Sequence, residues 1–296
     1  MKIAITGGSG FIGGRLITYL QEQGHEVWNI SRSASAVAPG VQTVTWDELA
    51  HSAAALGGVD AIVNLAGESI NQRWTAAAKE RILQSRLQAA AQIATLVERL
   101  DPKPKVVVNA SGMSIYGTSE THSFDESSPH QETDFLARVV QAWEEAADHI
   151  QGTRVVKVRV GLVLDRTEGA LPKMLLPYKL GVGGPIGSGR QWMSWIHITD
   201  MVRLIAHCIE DETIAGPVNA TAPEPVTNRD FSRALAKALH RPNAFPLPAF
   251  VMKLAFGELS VLLLEGQRVL PKVLLEHGFR FNYTTIDAAF ADIFKK

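Results

Sequence analysis

The stretch ITGGSGFIGG (residues 5–14) completes an apolar run that starts at the first residue and opens a segment with helical spacing. Gly7, Gly10 and Gly13 stand at G-x-x-G-x-x-G, one residue longer between the first pair than the familiar G-x-G-x-x-G. Glycine admits positive φ in a turn, lets backbone approach an anion, and lets the following helix pack closely on its sheet. The N-terminus of that helix then faces the anion. A strand, a glycine turn and a helix in this order predict a phosphate clasp, with Phe11 and Ile12 lying between the glycines at the same ligand. The plainer alternative is an ordinary glycine-rich turn between strand and helix.

The rest of the chain agrees with a nucleotide-binding sheet. Short runs rich in Val and Ile (KIAIT, EVWNI, DAIVNLAG, KVVVNAS, TRVVKVRVG) alternate with longer segments of helical period. That alternation predicts βαβ units and a parallel sheet covered by helices on both faces. The expected architecture is α/β, a Rossmann-like doubly wound parallel sheet with a smaller mixed C-terminal lobe. With 296 residues the chain is long for a single domain. We expect a main dinucleotide-binding region over 1–160, a mixed substrate lobe over 161–248 and a small appendage over 249–296, the last introduced by the proline-spaced connector RPNAFPLPAF.

Composition narrows the partners. Lys and Arg total 29 against 30 Asp and Glu, so no global basic field draws the chain to nucleic acid or to an anionic membrane. No segment reaches the roughly 18 uninterrupted apolar residues of a membrane span, and no signal-peptide pattern opens the chain. The lone Cys208, in IAHCI, suits a packed small hydrophobe in a reducing compartment. These features predict a cytoplasmic protein with a small-molecule partner.

Several segments carry a family resemblance. TGGSGFIG (6–13), Asp60 followed by AIVNLAG, SGMSIYG (111–117) and WIHITDM (195–201) resemble, in order, the extended short-chain dehydrogenases/reductases. More narrowly, GESINQRW (67–74), the Ser85/Arg86 pair, GGPIGSGRQWMSWIHITD (183–200) and LLLEGQRVLPKVLLEHGF (262–279) are similar to an atypical epimerase-like branch with a small C-terminal domain of unknown function. The resemblance covers nearly the whole chain and implies NADP at the ends of the sheet strands, without fixing a substrate. Some members of the branch are associated with cell division, a link that no residue here carries.

Charge favours NADP on its own account. An NAD site usually places Asp or Glu about 20 residues beyond the glycines to bind the ribose hydroxyls. Here the second strand ends NISR, so Ser31 and Arg32 offer a hydroxyl and a guanidinium to a 2′-phosphate, while Glu26 lies at the strand's far end. Leu65, Ala66 and Gly67 finish the fourth strand, where small residues let backbone pass the adenosine and pyrophosphate. By the narrower resemblance Glu80 and Arg86 flank the adenosine side, while the expected sheet order places Leu162 beside the nicotinamide end.

Catalysis is read from an absence. The family uses a Tyr-x-x-x-Lys pair on the helix after the fifth strand, the lysine lowering the tyrosine pKa and the tyrosine exchanging a proton with substrate oxygen. That helix reads DFLARVVQAWEEAA, and none of Tyr19, Tyr116, Tyr178 and Tyr283 has a lysine four residues on. Phe135 and Val139 offer no acid or base if they hold those positions. Ser111, ending KVVVNA, and Tyr116, in the following turn, are the candidate replacements. Arg159 suits a structural ion pair. In the second lobe Arg190, Gln191 and Trp192 are candidate substrate contacts, His197 is a structural hydrogen-bonding group and Asp200 a helix cap. No set of ligands for a metal is apparent. Two classes of function stay open: an NADP-dependent oxidoreductase or epimerase-like enzyme on a small polar substrate, and a noncatalytic NADP-binding regulatory protein.

Overall fold

The computed structural model describes residues 1–295. The first half lays down strand β1 (Lys2–Thr6), helix α1 (Phe11–Glu22), β2 (Glu26–Ser31), β3 (Gln42–Thr45), α2 (Trp46–His51), β4 (Ala61–Asn64), α3 (Ala76–Arg99), β5 (Val106–Gly112), the short β6 (Ser123–Phe124), α4 (Phe135–Ala147) and β7 (Arg154–Val160). There follow β8 (Leu162–Leu164), α5 (Leu171–Lys179), β9 (Trp192–Met193), β10 (Trp195–His197), α6 (Ile198–Glu210), β11 (Gly216–Ala220), β12 (Val226–Thr227) and α7 (Asn228–Ala238). The tail adds α8 (Ala249–Phe256), α9 (Val261–Leu264), β13 (Arg268–Val269), α10 (Lys272–Glu276) and α11 (Ile286–Ile293).

Seven strands form one sheet in the order β11-β7-β5-β4-β1-β2-β3, all parallel. Its inner strands are apolar on both faces because helices cover both. On one face Leu16 and Ile17 of α1 meet Met201, Leu204 and Ile205 of α6 over Ile3, Ile5, Val108 and Val158. On the other, Ile93, Leu96 and Val97 of α3 and Ala147 of α4 pack over Ile62 and Val107. Asp134 starts α4 by accepting from the Ala137 N–H at 2.8 Å, a cap worth about 1 kcal/mol. The order in which strands are added to the sheet reverses between β1 and β4. In such sheets the crevice at that reversal, beyond the strands' C-terminal ends, is where ligands bind.

The sheet is not confined to residues 1–160. Its seventh strand, β11, comes from the segment read as the substrate lobe, and α6 covers the same sheet. The physical reason is plain: PVNAT is apolar enough to pair with β7, and β7 would otherwise be an open edge. The second lobe proper packs α5, α7 and α11 around Trp195, Phe231 and Phe290. At the start of α6 the cap is His197, whose Nδ1 accepts from the Thr199 N–H at 3.1 Å. Asp200, expected there, is instead fully buried and binds the C-terminal tail through the N–H groups of Asn282 and Tyr283, both at 2.9 Å.

Candidate functional site

The glycine turn forms the site's floor. Gly7 has φ +74°, and a Cβ there would lie 2.8 Å from the Leu65 carbonyl oxygen. A Cβ on Gly13 would collide with the Gly7 carbonyl. Gly10 differs: its Cβ would meet only that carbonyl, at 3.2 Å, and otherwise faces open space. Two glycines close the turn and the third leaves room above it. No side chain caps α1 and its first turn holds no acid, so this helix end is left for an anion. Phe11 and Ile12 are half-buried and pack toward the core, Phe11 lying against Gly169.

Behind the turn runs a ladder of buried polar groups that the sequence reading missed. Thr6 Oγ1 donates to Asn64 Oδ1 at 2.6 Å, Asn64 Nδ2 to Asn109 Oδ1 at 2.6 Å, and Asn109 Nδ2 to the Ala110 carbonyl at 2.7 Å. Thr6 faces Asn64 and Asn64 faces Asn109 across the register, so the ladder crosses β1, β4 and β5 near their C-terminal ends. Thr6 Oγ1 also accepts from the Ala66 N–H at 3.2 Å, which fixes the exit of β4 at Leu65, Ala66 and Gly67. Asn29 of β2 lies under Gly8 with its Nδ2 buried and without a partner. The available signal was a polar residue inside an otherwise apolar strand, as in VVVNAS, since such a group stays buried only when it has a structural or ligand-directed use.

At the edge of the cleft, Ser31 is half-buried and Arg32 exposed, with no ion-pair partner for Arg32 among the described residues. Arg86 folds back on Gly67, donating Nη1 to the carbonyls of Glu68 at 3.0 Å and Ile82 at 2.9 Å, with its guanidinium 5.0 Å from the Trp143 ring. Burial lowers its pKa to about 10. Glu80 is exposed and the structure does not bring it to Gly67 or Arg32 by any hydrogen bond or ion pair. The acid found at that edge is Glu68, held below its ordinary pKa by hydrogen bonds from Gln72 and Arg81, with the charge of Arg32 adding to the effect.

Ser111 and Tyr116 are brought together through Arg159. Ser111 Oγ donates to Glu144 Oε1 at 2.6 Å, and Arg159 binds both carboxylate oxygens, Nε to Oε1 at 2.8 Å and Nη2 to Oε2 at 2.9 Å. Arg159 Nη1 donates to the Tyr116 hydroxyl at 2.7 Å, which donates in turn to Asn219 Oδ1 at 2.7 Å. The guanidinium also reaches His130 Nε2 at 3.0 Å. Burial alone would raise the Glu144 pKa, but the hydrogen bonds and charge of Arg159, with Ser111, overcome it and hold the carboxylate ionised. Tyr116 is fully buried against Phe124, and burial pushes its hydroxyl up to about 12. This arrangement orients Ser111 and keeps Tyr116 neutral. On α4, Phe135 packs edge-on against Trp74 and Val139 is buried beside it.

The three second-lobe candidates bind loops to one another. Arg190 Nε pairs with Glu120 at 3.0 Å on the surface. Gln191 is buried, its Nε2 donating to the carbonyls of Ile186 at 3.0 Å and Leu263 at 2.8 Å. Trp192 donates to the Glu120 carbonyl at 2.9 Å and lies beneath Arg268. None of the three is hydrogen-bonded to Ser111 or Tyr116. Leu162 is half-buried at the start of β8, tied to Ser194 through its N–H at 2.8 Å.

Known proteins resemble this chain along its whole length. An epimerase family protein of Bacillus subtilis is 42% identical over 297 residues, covering 99% of this chain and 98% of its own. The human epimerase family protein SDR39U1 is 40% identical over 299 residues, with 99% of both chains covered. Its crystal structure with NADPH superposes with a TM-score of 0.93 over the full length of both. A UDP-galactose 4-epimerase structure, at 19% identity and TM-score 0.73, shares the fold. The model of the NAD dependent epimerase/dehydratase family matches residues 3–220, and that of a domain of unknown function, DUF1731, matches 247–293. The chain therefore belongs to the NAD dependent epimerase/dehydratase family, in its short-chain dehydrogenase/reductase-like, epimerase-like form with the small C-terminal domain.

Proposed function

We propose that this chain binds NADPH across the C-terminal ends of β2, β1 and β4 and acts with it on a small polar substrate, in an oxidoreductase or epimerase-like reaction. The observation that carries the reading is the cradle: Gly7 and Gly13 are packed shut, Gly10 opens upward, and α1 begins there without a side-chain cap or an acid in its first turn. The exposed guanidinium of Arg32 supplies the partner that distinguishes a 2′-phosphate from a hydroxyl. The NADPH bound to the human relative supports the same cofactor.

When bound, the nicotinamide supplies or accepts a hydride. The chain supplies orientation. Because Ser111 gives its proton to Glu144, its remaining lone pairs accept a hydrogen from a substrate hydroxyl or amide instead of donating to a carbonyl. Arg159 keeps Glu144 ionised and so keeps Ser111 in that orientation. No Tyr-x-x-x-Lys pair stands on α4, so simple ketones and sugar nucleotides are poor substrates for this chain. The test is NADPH oxidation across a panel of ketones and sugar nucleotides, with mass spectrometry of copurified small molecules to supply further candidates.

One observation favours a second reading, a noncatalytic NADP-binding regulator: both candidate hydroxyls donate inside the protein, Ser111 to the Glu144 carboxylate and Tyr116 to the Asn219 amide oxygen. NADPH binding without turnover on any copurified compound, joined to an NADPH-dependent affinity for a protein partner, supports that reading over the enzymatic one.

A further inference from the structure

Eight of the ten large exposed apolar side chains fall in two segments, with Met1 and Leu275 elsewhere. Leu176 (59% exposed), Leu180 (69%) and Val182 lie on and just after α5, and Phe245, Phe250 (71%), Leu254 (88%), Phe256 and Leu262 lie on and around α8 and α9. Backbone hydrogen bonds join the two segments: Phe245 N–H to the Gly183 carbonyl at 3.2 Å, Leu247 to Pro185 at 2.8 Å and Gly187 to Leu247 at 2.8 Å. Leu176 on α5 and Leu180, which caps its C-terminal end in helical backbone, are four residues apart, as are Phe250 and Leu254 on α8, so each pair shares one side of its own helix. Apolar clusters of this kind on a folded surface mark a contact face.

Its charge says what the face meets. Residues 171–190 hold Lys173, Lys179 and Arg190 and no acid; residues 241–265 hold Arg241 and Lys253 with Glu258 and Glu265. Arg190 is paired with Glu120, Glu258 is bound by Lys79 of α3, and Glu265 accepts from Thr118 Oγ1 at 2.9 Å. Lys173, Lys179, Arg241 and Lys253 have no ion pair among the described residues. A chain with formal net charge −1 thus gathers unpaired cations around its main exposed apolar cluster. A two-fold contact with a second copy would set like charges against like. Protruding Phe and Leu tips ringed by lysines match an anionic lipid surface, where apolar side chains enter the headgroup boundary and lysines meet phosphate.

We propose that the α5–α8 face docks this protein reversibly on anionic lipid. The contact is peripheral, since no described helix is long and apolar enough to cross a membrane. It stands apart from the cofactor reading, because neither segment contains a residue of the glycine cradle.

The experiment is vesicle flotation of the full chain with phosphatidylcholine alone and with added phosphatidylglycerol, at low and high salt. The expected result is flotation only with phosphatidylglycerol, weakened by salt, and abolished in a Phe250→Asp/Leu254→Asp variant that keeps its circular dichroism and NADPH affinity. Lys173→Glu, Lys179→Glu and Lys253→Glu should each lower binding about fivefold or more. Absence of wild-type flotation at low salt, or flotation indifferent to these substitutions, overturns the proposal. So does a wild-type dimer that Leu254→Asp dissociates while vesicles capture nothing, which would make the face a self-contact, and so does wild-type binding equal with and without phosphatidylglycerol.

Discussion

Replacing Glu144 with Gln removes the carboxylate that neutralises Arg159 inside the protein. Both side chains are nearly sealed from solvent, at 3% and 2% exposure, and both oxygens of the carboxylate are bound. Breaking a buried ion pair from one side costs about 3 to 5 kcal/mol, because the surviving charge stays buried. For a chain of this size that corresponds to a fall of about 5 to 8 °C in Tm. Denaturant unfolding and calorimetry at neutral pH measure it. A companion variant, Glu144→Leu/Arg159→Met, removes both charges and should recover most of the loss. The pH dependence has a definite sign. Glu144 is held below its ordinary 4.5 in the folded state, so its contribution is complete above that pH and disappears as pH falls through the lowered folded value. Glu144→Gln should therefore flatten the acid limb of the stability curve below about pH 4.5. A loss under about 1 kcal/mol with an unchanged acid limb would show that the pair does not anchor Ser111 as argued.

Other consequences are as specific. Gly10→Val should fold and lose NADPH binding, because its side chain enters the open space above the turn, whereas Gly13→Ala should disturb the turn itself; circular dichroism with NADPH titration separates the two. Tyr116→Phe leaves Arg159 Nη1 and Asn219 Oδ1 without their shared partner and should cost about 1 to 3 kcal/mol of stability with NADPH affinity unchanged. Ser111→Ala should leave NADPH affinity intact and abolish whatever turnover a substrate screen finds; turnover that survives both Ser111→Ala and Tyr116→Phe removes the two from the catalytic assignment.

The sheet was legible because its strands are continuous Val- and Ile-rich runs and its first turn needs glycine, two signals that local sequence carries by itself. β11 was read as a strand, but its membership of the main sheet depends on pairing with β7 some sixty residues earlier, which no local pattern records. Arg159 was read as an ion-pairing residue, and its partner Glu144 comes from a different element, α4, by helix rotation. The same limit explains the Thr6, Asn64 and Asn109 ladder: each is one polar residue in an apolar strand, and only the register joins them. His197 and Asp200 exchanged expected parts because the tail segment around Tyr283, eighty residues on, claims the carboxylate. Arg190, Gln191 and Trp192 looked like a ligand mouth by composition, yet their partners Glu120, Ile186 and Leu263 are set by tertiary packing.

The central claim is that this cradle takes a 2′-phosphorylated dinucleotide, with Arg32 reading the phosphate. Calorimetric titration of the wild type and Arg32→Ala with NADPH and NADH tests it most directly. A charge-assisted hydrogen bond of about 1.5 to 3 kcal/mol predicts that wild-type NADPH binding exceeds that of Arg32→Ala by roughly 10- to 150-fold, with NADH nearly unaffected. Equal wild-type affinities for NADPH and NADH, or an Arg32→Ala variant that keeps full NADPH affinity, would contradict it.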